Sequence, residues 1–92
     1  MYLSAEEREW ALTLNRAVRQ AEALFASGER RAARFKRAAR MTFAEMPQIR
    51  VDYIALVDWA TLEPLEFAAP GSLFAVAAWV GATRLIDNAI LP

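Results

Sequence analysis

The spacing of apolar residues changes once along this chain, at Pro47, and that change limits the fold more than any other feature. Before it, Trp10, Leu14, Ala17, Val18, Ala21, Leu24 and Phe25 recur in steps of three and four, the apolar stripe of an amphipathic helix. After it, Val51, Tyr53, Ala55 and Val57 alternate with Arg50, Asp52, Ile54 and Leu56, a strand whose second face is partly apolar too. Helical and extended periods place different residues on one face, so no segment satisfies both. The chain must therefore be helical first and extended second.

Local signals divide these halves into elements. Ser4 and Glu7 have the S-x-x-E spacing of a capping box and open the first helix. Gly28 is placed to end it in a left-handed conformation. A second helix is predicted over 29–46, with Ala32, Phe35, Ala39, Thr42 or Phe43, and Met46 on its apolar side, stopped by Pro47. The short connection predicts an antiparallel helix hairpin. Residues 58–64 read as a turn, with a weak strand at 65–67 and a clear turn at Ala69-Pro70-Gly71-Ser72. Leu73 to Val80 reads as a central strand, apolar on both faces. Gly81-Ala82-Thr83 reads as a three-residue hairpin connection into a last strand over 84–91. The expected fold class is α+β, an N-terminal helix hairpin on a small three-stranded, mainly antiparallel sheet.

Composition then limits the chemistry. The 92 residues suffice for one small domain, and 57% of them are apolar, so a packed core is expected. There is no Cys and no His. Disulfides, thiolate or imidazole zinc sites, a His general base and any Ser-His-Asp or Cys-His constellation are thus excluded from this chain. Eleven basic residues balance eleven acidic ones. Zero net charge argues against general attraction to nucleic acid or anionic membrane, and it favours self-association. The apolar run 73–80 is too short to span a bilayer. The first residues lack a basic region followed by an apolar stretch, and a cytoplasmic setting is expected.

Candidate functional residues each have a plainer reading. Arg30, Arg31, Arg34, Lys36, Arg37 and Arg40 could form a phosphate-binding face, with Arg30, Arg34 and Arg37 sharing one side. No aromatic residues interleave with them, so the solvated side of an amphipathic helix is the expectation. Trp10 and Trp79 are expected in the core. Trp59, beside Asp58, is expected at an interface. Asp52, Asp58, Glu63, Glu66 and Asp87 have no spacing diagnostic of acid–base or magnesium chemistry, and no glycine-rich phosphate loop is present. On a strand, Arg84, Ile86 and Asn88 face one way, and Leu85 and Asp87 the other. Arg84 and Asp87 therefore cannot pair along one face, and each needs a partner from elsewhere. Asp87 is expected to be held by nearby backbone N–H groups or by an arginine.

The stretch Ala77-Ala78-Trp79-Val80-Gly81-Ala82-Thr83-Arg84-Leu85-Ile86-Asp87-Asn88 resembles the C-terminal signature of the pantothenate synthetase (pantoate–β-alanine ligase) family. Tyr2-Leu3-Ser4, Gly28-Glu29-Arg30, and Asp52-Tyr53-Ile54 with Val57-Asp58 and Thr61-Leu62 match other family pieces in order and spacing. The resemblance covers essentially the whole chain. It implies that residues 1–92 are the family's C-terminal lid domain, whose partner is the N-terminal nucleotide-binding domain of the same protein. The full family uses ATP and magnesium to form a pantoyl adenylate, from which β-alanine displaces AMP. The family's His-containing ATP motif and its Ser-Ser-Arg-Asn motif, which precedes the Tyr-Leu-Ser segment, correspond to positions upstream of Met1. The resemblance thus assigns no catalytic, cofactor-binding or metal residue here, and the isolated chain is expected to be inactive. Arg84, Leu85, Ile86, Asp87 and Asn88 are expected to be structural or interdomain. The alternative is a stand-alone interaction or scaffold module of the same fold without catalysis.

Overall fold

In the computed structural model, which describes residues 4–92, helices α1 (Ala5–Ala26) and α2 (Ala32–Ala44) precede strands β1 (Arg50–Asp58), β2 (Ser72–Val80) and β3 (Thr83–Ile90). The strands form one antiparallel sheet in the order β1-β2-β3. The helix hairpin covers one face of it, α1 over β2 and β3 and α2 over β1. The fold is α+β, as the change of period requires. No helix among the described residues is long and apolar enough to cross a membrane.

Both ends of α1 are set by local chemistry. The Ser4 hydroxyl accepts the Glu7 N–H at 3.1 Å, and the Glu7 carboxylate accepts the Ser4 N–H at 3.2 Å, which completes the capping box. Tyr2 and Leu3 of the matching family segment lie outside the described residues. At the other end Gly28 has φ +103°. Its N–H donates to the Phe25 carbonyl at 3.1 Å, and the Glu29 N–H donates to Leu24 at 2.9 Å. These two bonds make a Schellman motif, which needs a left-handed residue where glycine stands.

Helix α2 starts three residues later than its sequence suggests. The backbone of residues 30–32 is engaged elsewhere: Ala68 N–H donates to the Arg30 carbonyl at 2.6 Å, and Ala32 N–H to Glu66 at 2.8 Å. Arg31 is extended, at φ −76° and ψ 120°, and bridges Phe67. Within residues 65–67, Phe67 accordingly makes an isolated bridge to Arg31 in place of the strand expected there. Between the helices, the Thr42 hydroxyl donates to the Gln20 side-chain oxygen at 2.6 Å.

The core lies between hairpin and sheet. Leu14, Ala17, Val18, Ala21 and Phe25 of α1 and Ala32, Phe35, Ala39 and Phe43 of α2 meet Ile54, Leu56, Phe74, Val76, Ala78 and Val80. On β1 the face packed on the helices is therefore the Ile54–Leu56 set, and Tyr53, Ala55 and Val57 look outward. The cause is a β-bulge: pairing runs Val51↔Ala78 and then Tyr53↔Ala77, so Asp52 is an extra residue that shifts the alternation. Val51 still packs on the core from before the bulge. The β2–β3 connection is also tighter than three residues. Val80 pairs with Thr83, leaving Gly81-Ala82 as a two-residue loop. Gly81 has φ +59° and Ala82 is not positive, the φ pattern of a type II′ hairpin turn.

Candidate functional site

The signature strand β3 displays its residues on opposite faces, as its alternation requires. Leu85 and Ala89 pack against the core beneath α1, and half-buried Asp87 shares their side. Arg84, Ile86, Asn88 and Ile90 project from the face that the helices leave open. Both charged residues find partners outside β3. Asn15 of α1 donates its amide to Asp87 Oδ2 at 3.3 Å, and the Asn88 backbone N–H donates to Oδ1 at 2.8 Å. A backbone donor is thus present, the first of the two expected alternatives, and the Asn15 amide adds a donor that was not expected. Neither Asn15 nor its link to β3 is legible beforehand, because Asn15, between Leu14 and Arg16 on α1, has no spacing to single it out.

Arg84 is bound across the open face. Its Nε and one terminal nitrogen lie 3.0 and 2.9 Å from Asp52 Oδ2, and its guanidinium stands 5.8 Å from the Tyr53 ring centre. The bulge that turns β1 over also brings Asp52 and Tyr53 side by side onto this face. With both charged side chains 38% exposed, the pair contributes at most about 1 kcal/mol. Its effect is orientation: it fixes a charged corner on a mainly apolar surface.

That surface is ordered in cross-strand rows. Tyr53–Ala77–Ile86, Ala55–Ala75–Asn88 and Val57–Leu73–Ile90 run across the three strands. Ala75 and Ala77 form a buried floor, while Tyr53, Ile86 and Ile90 stand exposed around it at 39%, 54% and 49%. Trp79 belongs to this side as well, half-buried beside Arg84, and not to the core beneath the helices where the sequence suggests it. The alternation of β2 decides this, since Ala78 and Val80 take the core positions on either side of it.

The loop after β1 is held rigidly. Asp58 Oδ1 accepts the Ala60 and Thr61 N–H groups at 2.8 and 3.0 Å, and the Leu62 N–H donates to the Asp58 carbonyl at 2.7 Å. Leu62 adopts φ +60°, a conformation unfavourable for a side chain of its size. The result is outward display of Trp59 and Leu62, 56% and 62% exposed. The basic cluster divides. Arg30 folds back over the Phe25 ring at 3.8 Å and donates to the Phe25 carbonyl at 2.8 Å, neutralising the end of α1. It precedes α2, so it does not share a helix face with Arg34 and Arg37. Those two, with Arg31 and Arg40, are exposed.

Two carboxylates are held below their usual range. Glu7 is lowered first by the Ser4 backbone N–H and then by the Ser4 hydroxyl. Glu29 is lowered chiefly by the Arg31 N–H. Both are half-buried carboxylates that accept backbone N–H groups, Glu7 at the α1 cap and Glu29 in the connection before α2, and their shifts report backbone organisation. A groove of about 530 Å³ lies between the helices, lined by Gln20, Ala23, Leu24, Ala38, Met41, Thr42 and Glu45. Its lining includes no basic side chain, and it is a poor fit for a triphosphate. Among the described residues, no cluster of His, Cys, Asp or Glu is arranged to hold a metal.

The family model for pantoate-beta-alanine ligase matches residues 1–90. The chain belongs to the pantoate-beta-alanine ligase family. A pantothenate synthetase from Acidobacterium capsulatum is 50% identical over 98% of this chain, and one from Trichlorobacter lovleyi is 48% identical over 98%. These matches take in only 30% and 32% of those relatives. The crystal structure of pantothenate synthetase from Thermus thermophilus superposes with a TM-score of 0.87 at 35% identity, over 99% of this chain and 33% of that one. The chain therefore spans about a third of the pantoate-beta-alanine ligase relatives it matches, as a partial domain. Within it, the family signature is a sheet strand with one polar corner on the open face and one carboxylate at the helix seam.

Proposed function

We propose that this chain is the C-terminal lid domain of an ATP-dependent acid–amine ligase, and that its open sheet face turns toward the nucleotide-binding domain formed by the other two thirds of the protein. The observation that carries this reading is the apolar face of Tyr53, Trp79, Ile86 and Ile90, uncovered by any described residue in a chain a third the length of its relatives. Exposed apolar area of this kind is ordinarily covered by a partner. The alanine floor lets a neighbouring surface approach closely, and the Arg84–Asp52 corner sets its orientation.

In this reading the full-length protein activates pantoate with ATP and magnesium, and β-alanine displaces AMP from the pantoyl adenylate. ATP and magnesium supply the activation, and the groups that bind them belong to the other domain. The residues of this chain exclude water. An acyl adenylate is open to hydrolysis, and an apolar cover favours capture by the amine over capture by water.

The test compares two surfaces in the full-length protein. Ile86→Glu on the open face is expected to lower pantothenate formation at least about tenfold and to raise the fraction of AMP released without pantothenate. Leu12→Glu, on the 67%-exposed outer side of α1, is expected to leave both near wild type. Equal activity and equal coupling in the two variants would sink the lid reading and favour a non-catalytic scaffold module.

A further inference from the structure

The two edges of the sheet are treated differently. The outer edge of β1 is interrupted by the bulge at Asp52 and then covered, with Leu65 N–H donating to the Leu56 carbonyl and Asp58 N–H to Glu63, both at 2.9 Å. Strand β3 is regular along its whole length, and among the described residues no strand lies beyond it. In a two-residue hairpin the closing pair, here Val80 and Thr83, is a hydrogen-bonded pair. Thr83, Leu85, Asp87 and Ala89 therefore direct their backbone groups at β2. Those of Arg84, Ile86, Asn88 and Ile90 point outward. A regular edge of this kind, with exposed isoleucines, is a template for another strand.

One outward donor is occupied. The Asn88 N–H is taken at 2.8 Å by Asp87 Oδ1, while Asn15 holds Oδ2. We propose that Asp87 closes the β3 edge to strand addition by a second copy of this chain, and that removing its carboxylate lets two β3 strands pair antiparallel about a two-fold axis. A second copy is the occupant because one edge offers the same outward groups to itself, and zero net charge imposes no general repulsion. The covered β1 edge ends growth at two copies.

Every central register meets Asp87. Pairing centred on Asp87 sets two carboxylates directly opposite. Pairing centred on Ile86 sets Asp87 against Leu85 of the other copy and strips water from the charge. Pairing centred on Asn88 shortens the overlap. In all three the Asn88 N–H must leave Asp87 to bond the incoming strand. Strand pairing alone buries well under the roughly 1,200 Å² of a stable interface, so one misplaced charge is enough to prevent it.

The test uses the 92-residue chain, with sedimentation equilibrium and residue-resolved amide exchange. In the wild type the Asn88 amide is expected to exchange at least about tenfold more slowly than those of Ile86 and Ile90, although all three point outward. Asp87→Ala is expected to self-associate at least about tenfold more tightly than wild type, with concentration-dependent protection appearing at Ile86, Asn88 and Ile90. Adding Asn88→Pro, which deletes an outward donor, is expected to return it to the wild-type state. Fast exchange at Asn88 in the wild type, an Asp87→Ala chain no more associated than wild type, or association that survives Asn88→Pro would each overturn the proposal. The wild-type exchange measurement stands even if the variants fold poorly.

Discussion

Phe74 has no solvent exposure and meets Phe35 of α2 with ring centroids 6.3 Å apart at 46°. These two rings tie the central strand to the second helix. The core they belong to also holds Leu14, Leu56 and Val76, each almost wholly buried. Phe74→Ala is expected to cost about 3–5 kcal/mol, the range for deleting a buried ring. For a domain of this size that is a large part of the total. The urea midpoint should fall sharply with an unchanged slope; a midpoint within error of wild type would mean the ring is not the link described. Burial of Phe74 is readable from its place in an apolar run. That Ala77, on the open face away from the helices, is also fully buried is not readable, because the cover comes from Tyr53 and Ile86 on neighbouring strands.

The elements differ in how far their own sequence decides them. Helix α1 is decided locally, with its cap, stripe and terminal glycine all inside one segment, and it folds as read. The start of α2 and the face of β1 are decided by partners remote in sequence: the carbonyl of Glu66 in one case, the register against Ala77 and Ala78 in the other. Alternation along β1 is compatible with either face inward, and only the bulge at Asp52 selects Ile54 and Leu56. The α1 cap also makes a pH prediction. Its carboxylate, Glu7, is lowered mainly by the Ser4 N–H bond and further by the Ser4 hydroxyl. A carboxylate with a lowered folded-state pKa contributes stability above its ordinary range and loses that contribution as pH falls through the lowered value. Glu7→Gln keeps an acceptor for the cap without a titrating charge. Wild type is therefore expected to exceed Glu7→Gln in denaturation midpoint at neutral pH, and the gap should close on acidification below the usual carboxylate range. A gap that is constant with pH would count against a charged cap.

At the scale of the whole molecule, the sequence makes the family and the layer order plain, while the open face, with Asp52, Tyr53, Trp79 and Arg84 gathered at one corner, exists only once three strands are in register. That face is mainly apolar, with Arg84 tied to Asp52, and the run of basic residues singled out in the sequence lies elsewhere, at and along α2. Arg34, Arg37 and Arg40 are exposed there, with Arg31 exposed at the cap before the helix and Arg30 committed to the end of α1. A triphosphate bound at such a surface gains screened charge attraction but no enclosing donors. The groove between the helices is lined by alanines, Leu24 and Met41, with Glu45 as its charged residue, which repels an anion. The chain also has no histidine to serve in adenylation. The 92-residue chain alone is accordingly expected to make no pantothenate and to bind magnesium-ATP no more tightly than about millimolar, about 4 kcal/mol. Titration calorimetry at low and moderate salt checks this directly: heats should be small, unsaturated and diminished by salt. A saturable micromolar site, or AMP release that depends on pantoate and β-alanine, would place adenylation chemistry within this domain and refute its assignment as a cover for chemistry done elsewhere.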